Sequence, residues 1–133
     1  MKKNLLFSLI ILIYATLLFS CSKSIEKKIS GIWQVEDVKF DSSMPLDQAQ
    51  VESSKESAKS ISYELLEDHS AKIHAGSSVL AGSWTYKEAQ SGVYMVFSGT
   101  FDTILLGRYQ EGKLVNEEDK PDLKITTIFT KKD

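Results

Sequence analysis

Leu123-Lys124-Ile125-Thr126-Thr127-Ile128-Phe129-Thr130 is the stretch that decides the fold. Leu123, Ile125, Thr127 and Phe129 share one parity, while Lys124, Thr126 and Thr130 take the other. A period of two marks a strand with one face buried and one in water. Reading back towards the N-terminus, the same signature recurs between short turns. Residues 61–65, 71–75, 79–87, 93–98, 103–110 and 113–116 read as strands. Between them lie Glu67-Asp68-His69-Ser70, Gly76-Ser77-Ser78, Gln90-Ser91-Gly92, Gly99-Thr100 and Glu111-Gly112, all with turn chemistry. Glu117-Glu118-Asp119-Lys120-Pro121 reads as a charged loop.

A further strand begins at Gly31. Trp33 and Val35 alternate with Gln34 and Glu36, but Val38 and Phe40 fall on the other parity. A bulge near Asp37 would return them to the inside and bend the strand. Residues 47–60 are the one plausible helix: Asp47 can cap it, good helix formers dominate, and no Gly or Pro interrupts. Its apolar positions are sparse, so it is expected to lie over one end of something larger, and a disordered connection is the alternative. Eight short strands in simple succession, with no βαβ spacing, predict an all-β fold. The expected form is an eight-stranded antiparallel up-and-down β-barrel with one short helix between strands 1 and 2. An open sandwich or a sheet-plus-helix fold is the alternative.

The first twenty residues are of another kind. Lys2 and Lys3 precede an apolar run from Leu5 to Phe19, and Leu18-Phe19-Ser20-Cys21 closes it. A basic start, an apolar core and small residues at the end make a secretory signal. Fifteen residues of helix reach only about 22 Å, short of the roughly 30 Å hydrocarbon core, which argues against a spanning anchor. Cys21 is the single cysteine, so no intramolecular disulfide can form. Leu18-Phe19-Ser20-Cys21 resembles the lipobox of bacterial lipoproteins. The resemblance implies cleavage between Ser20 and Cys21, a diacylglyceryl thioether on Cys21 and acylation of the new amino group. Two or three acyl chains hold a protein stably to a bilayer. The expected organisation is a cleaved signal over residues 1–20, a lipidated polar tether over 21–30 and a barrel over 31–133. Ser22 after the cysteine resembles outer-membrane sorting in Gram-negative systems, and no acidic cluster follows it. The expected place is therefore the outer membrane, facing the periplasm.

Gly31-Ile32-Trp33 and Gly82-Ser83-Trp84 are two Gly-x-Trp segments. The first looks like the motif that opens lipocalins and related calycins. With the lipobox and the intervening polar helix, the chain resembles small lipocalin-like bacterial lipoproteins of unknown function. The resemblance implies a barrel-end plug made by Gly31, Trp33, Gly82 and Trp84. In lipocalins an arginine on the last strand packs against the tryptophan. Here the last strand ends in Lys131 and Lys132, and the sole arginine, Arg108, stands on the sixth.

Composition narrows the function. The chain has 133 residues, 26% of them charged, and a formal net charge of −2. Loss of the leader removes Lys2 and Lys3 and makes the remainder more acidic, so nucleic acid is not an expected partner. His69 and His74 have no metal-site spacing, no Gly-x-Ser-x-Gly is present, and no enzyme, metal or cofactor is expected. The Glu117, Glu118, Asp119 and Asp122 cluster lacks EF-hand spacing and reads as a solvated loop. Arg108 reads as one member of a cross-strand ion pair, with an anion anchor as the alternative.

The resemblance implies binding of a small apolar or amphipathic ligand inside the barrel, with Tyr86, Phe97, Tyr109 and Phe129 as candidate lining. An eight-stranded barrel is only just wide enough for filling side chains or one small ligand. The alternative is therefore a filled barrel acting as an interaction module for another envelope protein, with an exposed apolar patch that includes Ile128 and Leu106.

Overall fold

The computed structural model describes residues 25–133. The signal segment, the Ser20–Cys21 cleavage point and lipidation of Cys21 lie outside the described residues. A short helix, α1 (residues 25–29), comes first, followed by β1 (Gly31–Ser42) and α2 (Gln48–Lys59). The remaining strands are β2 (Ile61–Leu65), β3 (Ser70–Ala75), β4 (Ser78–Lys87), β5 (Gly92–Phe97), β6 (Thr103–Gln110), β7 (Lys113–Lys120) and β8 (Leu123–Lys132). Each strand pairs antiparallel with the next and β8 returns to β1, closing an eight-stranded up-and-down barrel. Closure leaves no free sheet edge at either end of the strand order.

The expected bulge is present. Val35 pairs with Phe129 and Asp37 with Ile128, so Glu36 is the extra residue. Val35 and Val38 are both buried as a result, and the Asp37 carboxylate accepts from the Val38 amide at 2.9 Å. A second bulge lies in β6, where Val93 pairs with Gly107 but Tyr94 pairs with Leu105. It turns Leu106 inwards, and Leu106 is buried rather than part of an exposed patch. Three consecutive apolar residues, Ile104 to Leu106, had hidden this shift of parity.

Asp47 caps α2 by accepting from the Ala49 amide at 3.0 Å. The helix has no buried residue and lies against β1, tied at its far end by Gln34 Nε2 donating to the Lys59 carbonyl at 3.0 Å.

Two stretches differ from the sequence reading. Residues 117–120, expected in a loop, complete β7 and pair with β8 as far as Lys120–Leu123. Lys124 stands 3.3 Å from Glu117 across the pair, so the charges offset one another instead of repelling the strand into solvent. Residues 25–29, expected in a polar tether, are helical and packed. Ile29 is fully buried and Ile25 lies against the same core, while Lys27 and Lys28 face water. Burial of Ile29 contributes roughly 1.5–3 kcal/mol, so the packed unit starts ahead of Gly31.

The core is uneven along the barrel axis. The most completely buried large side chains are Trp33, Ile29, Leu65, Leu114 and Val93, all near the end where β1 starts and β8 finishes. This is the sealed end. Towards the other end, the mouth, lie the exposed large hydrophobics Met44, Val79, Leu80, Phe101 and Ile104, whereas Ile32 is exposed on the outer face of the sealed end.

Candidate functional site

The sealed end is built around two indoles. Trp33 Nε1 donates to the Ile29 carbonyl at 2.7 Å, and Trp84 Nε1 donates to the Leu66 carbonyl at 2.8 Å. A buried indole needs such an acceptor. Tyr109 meets Trp33 edge-on at 6.4 Å, and Tyr63 meets Phe129 edge-on at 5.4 Å. Burial pushes the Tyr63 phenol above its ordinary pKa, which keeps it neutral.

Lys131 stands opposite Trp33 on β8, where the lipocalin resemblance would place an arginine. Its Nζ donates to the Lys28 carbonyl at 3.1 Å, and its chain fills the space where Gly31 would carry a Cβ. Gly31 has φ +139°, which a side chain would also strain. The second Gly-x-Trp does different work. β4 runs towards the sealed end whereas β1 runs away from it, and Gly82 sits where a Cβ would overlap the Val96 carbonyl oxygen. The two tripeptides are thus alike in letters and both bring a tryptophan to one end, but by opposite chain directions.

His69 lies over Trp84, with ring centroids 5.0 Å apart, and its Nε2 stands 3.6 Å from the Glu26 carboxylate. His74 meets Glu64 at 3.1 Å on the outer face of β2 and β3. Among the described residues, no three His, Cys, Asp or Glu side chains stand close enough to hold a metal ion.

The mouth has two unlike walls. On one wall, Ile73 pairs with Leu80, and Ile104 lies opposite Met95 and next to Phe97. Leu80 and Ile104 share the inward parity of Trp84 and Met95, yet remain 49% and 47% exposed. Phe101, in the loop between β5 and β6, is wholly exposed above them. The other wall is β7, whose inward positions beyond Leu114 are Asn116, Glu118 and Lys120, with Glu118 and Lys120 paired at 3.2 Å. The β6–β7 ladder covers only Arg108–Val115, Tyr109–Leu114 and Gln110–Lys113. Beyond it, Asn116 Nδ2 donates to the carbonyls of Leu105 and Leu106, at 2.8 and 3.2 Å, and bridges the seam. Such an arrangement can take an apolar body against one wall and a polar group against the other.

Of the candidate lining residues, Tyr86, Tyr109 and Phe129 lie towards the sealed end, and Phe97 alone reaches the apolar wall of the mouth. Ile73, Leu80 and Ile104 were not singled out from sequence. The signal that marks them is inward parity carried to the far ends of β3, β4 and β6. Arg108 faces outwards opposite Val115 and has no ion pair among the described residues. It lines an outer groove of about 340 Å³ with Leu105, Gln110, Val115, Glu117 and Asp119. Ile128 is outward and half-buried on β8.

No protein-family model, curated protein or solved structure matches the chain.

Proposed function

We propose that this protein is a lipid-anchored, lipocalin-like barrel of the bacterial cell envelope that holds a small amphipathic molecule at its mouth. One observation carries the reading: the fully buried large side chains lie at one end of the barrel, whereas inward apolar side chains at the other end stay about half exposed. Leu80 and Ile104 are half exposed on positions that a filled barrel would cover. The ligand's apolar part would lie against Ile73, Leu80, Phe97 and Ile104, and its polar part would meet Asn116 and the Glu118–Lys120 pair. No catalytic group is assigned. The lipobox-like Leu18-Phe19-Ser20-Cys21 supports attachment to the membrane through Cys21.

The test is native mass spectrometry of residues 22–133 recovered from the periplasm of the native host. A discrete added mass that leaves on denaturation, and that is missing from L80E and I104E, is the expected result. A clean unliganded mass for the unaltered protein would sink the ligand reading. The second reading, a docking module for another envelope protein, is favoured by the complete exposure of Phe101. It is tested by photocrosslinking from position 101.

A further inference from the structure

The helix α1 does more than lead into the barrel: it is fastened to the sealed end on several sides. Ile25 and Ile29 pack into the core, and Trp33 and Lys131 donate to the carbonyls of Ile29 and Lys28. Ser30 donates to the Glu26 carbonyl through both its amide, at 2.8 Å, and its hydroxyl, at 2.9 Å. The last carbonyls of a helix carry partial negative charge and lack partners within it, so donors at this end hold it well.

This bears on how the protein stands on its membrane. Three residues, Ser22 to Ser24, separate Cys21 from Ile25, and the four steps between them reach at most about 14 Å. The twelve residues of β1, tilted as barrel strands are, span roughly 30 Å from the sealed end to the mouth. With α1 fastened, the mouth cannot turn down to the bilayer that carries the anchor. With α1 released, the ten residue steps from Cys21 to Gly31 would reach about 35 Å and would permit it.

We infer that the sealed end is a membrane-facing surface whose partner is the phospholipid bilayer bearing the Cys21 anchor, and that the mouth points away from it into the aqueous space. The proposal rests on the lipid-anchor reading given above. The length of chain between the anchor and α1 carries the orientation, because charge at this end is mixed: Lys27, Lys28 and Lys132 are exposed there, and so are Glu67, Asp68, Glu88, Glu111 and Asp133. The exposed lysines nearest the anchor, Lys27 and Lys28, are the ones placed to meet lipid phosphates. The consequence for the site is that a ligand reaches the mouth from the aqueous side or from a second protein, not by sliding out of the anchoring leaflet.

The experiment uses the full acylated chain in vesicles of phosphatidylethanolamine and phosphatidylglycerol that carry a headgroup nitroxide. A fluorophore is attached at Q90C, beside the sealed end, or at F101C, at the mouth. Acylated Cys21 leaves the new thiol as the only reactive one. The nitroxide is expected to quench the Q90C label, and the intrinsic fluorescence of Trp33 and Trp84, several-fold more than the F101C label. A Gly/Ser insertion of about eight residues between Ser24 and Ile25, which adds roughly 16 Å of mean reach, is expected to weaken quenching at Q90C. Equal or stronger quenching at F101C on an acylated chain would overturn the orientation alone. Absence of the acyl mass increment on the Cys21 peptide would overturn the anchor reading and the orientation with it.

Discussion

The indole of Trp33 donates to the carbonyl of Ile29 at 2.7 Å, and both residues are fully buried. The first helix and the first strand thereby share one hydrogen bond in the driest part of the molecule. Replacing Trp33 by Phe removes the donor, strands the carbonyl and leaves a void. A loss of about 2–4 kcal/mol is expected. Urea unfolding followed by circular dichroism would measure it.

If α1 is part of the packed unit and not a tether, its two faces should respond differently. Ile29→Ala is expected to cost about 2–4 kcal/mol. Lys27→Ala and Lys28→Ala should stay within about 0.5 kcal/mol. Matching denaturation midpoints for all three variants would contradict the packing of α1.

Gly82 has no room for a side chain. A Cβ there would overlap the Val96 carbonyl oxygen and stand 3.0 Å from Phe97 Cα, so β4 and β5 must move apart. Gly82→Ala is expected to destabilise by about 1–3 kcal/mol, as overpacking does. A melting curve unchanged from the parent would show that the strands give more easily than this.

Most of the barrel can be read from residue parity, and the places that cannot share a physical cause. β8 alternates cleanly because one of its faces meets the core and the other meets water. The β1 bulge shows because Val35 and Val38 are apolar on both sides of a polar pair. β7 loses its pattern after Leu114 because its inward positions there, Asn116, Glu118 and Lys120, line the mouth instead of the core. A strand that faces an open mouth has no apolar period to display. α1 was hidden for a different reason: Ile25 and Ile29 form a single pair four residues apart, too little for a helical period. The apolar wall of the mouth escaped notice because burial, not residue type, distinguishes Leu80 and Ile104 from core residues.

The seam between β6 and β7 depends on one amide. Asn116 Nδ2 serves two carbonyls where the ladder has stopped. Asn116→Ala should cost about 1–2 kcal/mol and speed amide hydrogen exchange in residues 103–106 and 116–119. Exchange unchanged in both segments would mean that the seam is held by other means.

The β2–β3 turn carries an acid-sensitive contact. The Asp68 carboxylate accepts from the Ser70 hydroxyl and from the Ser70 amide, and these bonds hold its pKa below the ordinary carboxylate value. A depressed folded pKa means that the contribution is complete at neutral pH. It fades as pH falls below the unfolded value of about 3.9 and through the folded midpoint. Carboxyl NMR titration should therefore find Asp68 below the ordinary aspartate value, and Ser70→Ala should move it upward. An unaltered midpoint in that variant would remove Ser70 as the cause.

The pairing of β1 with β8 also sets an order of events. Every other ladder joins strands adjacent in sequence, but this one joins residues 31–42 to 123–132. A chain made from its amino end presents β1 early, and β1 must then wait for the last ten or so residues before its partner arrives. Until then β1 and β7 are both open edges, available for mispairing with other chains. Closing so long a loop is slow compared with forming the hairpins. Barrel closure is therefore decided at the carboxyl terminus: a chain cut short before Leu123 would keep its hairpins and lose its barrel.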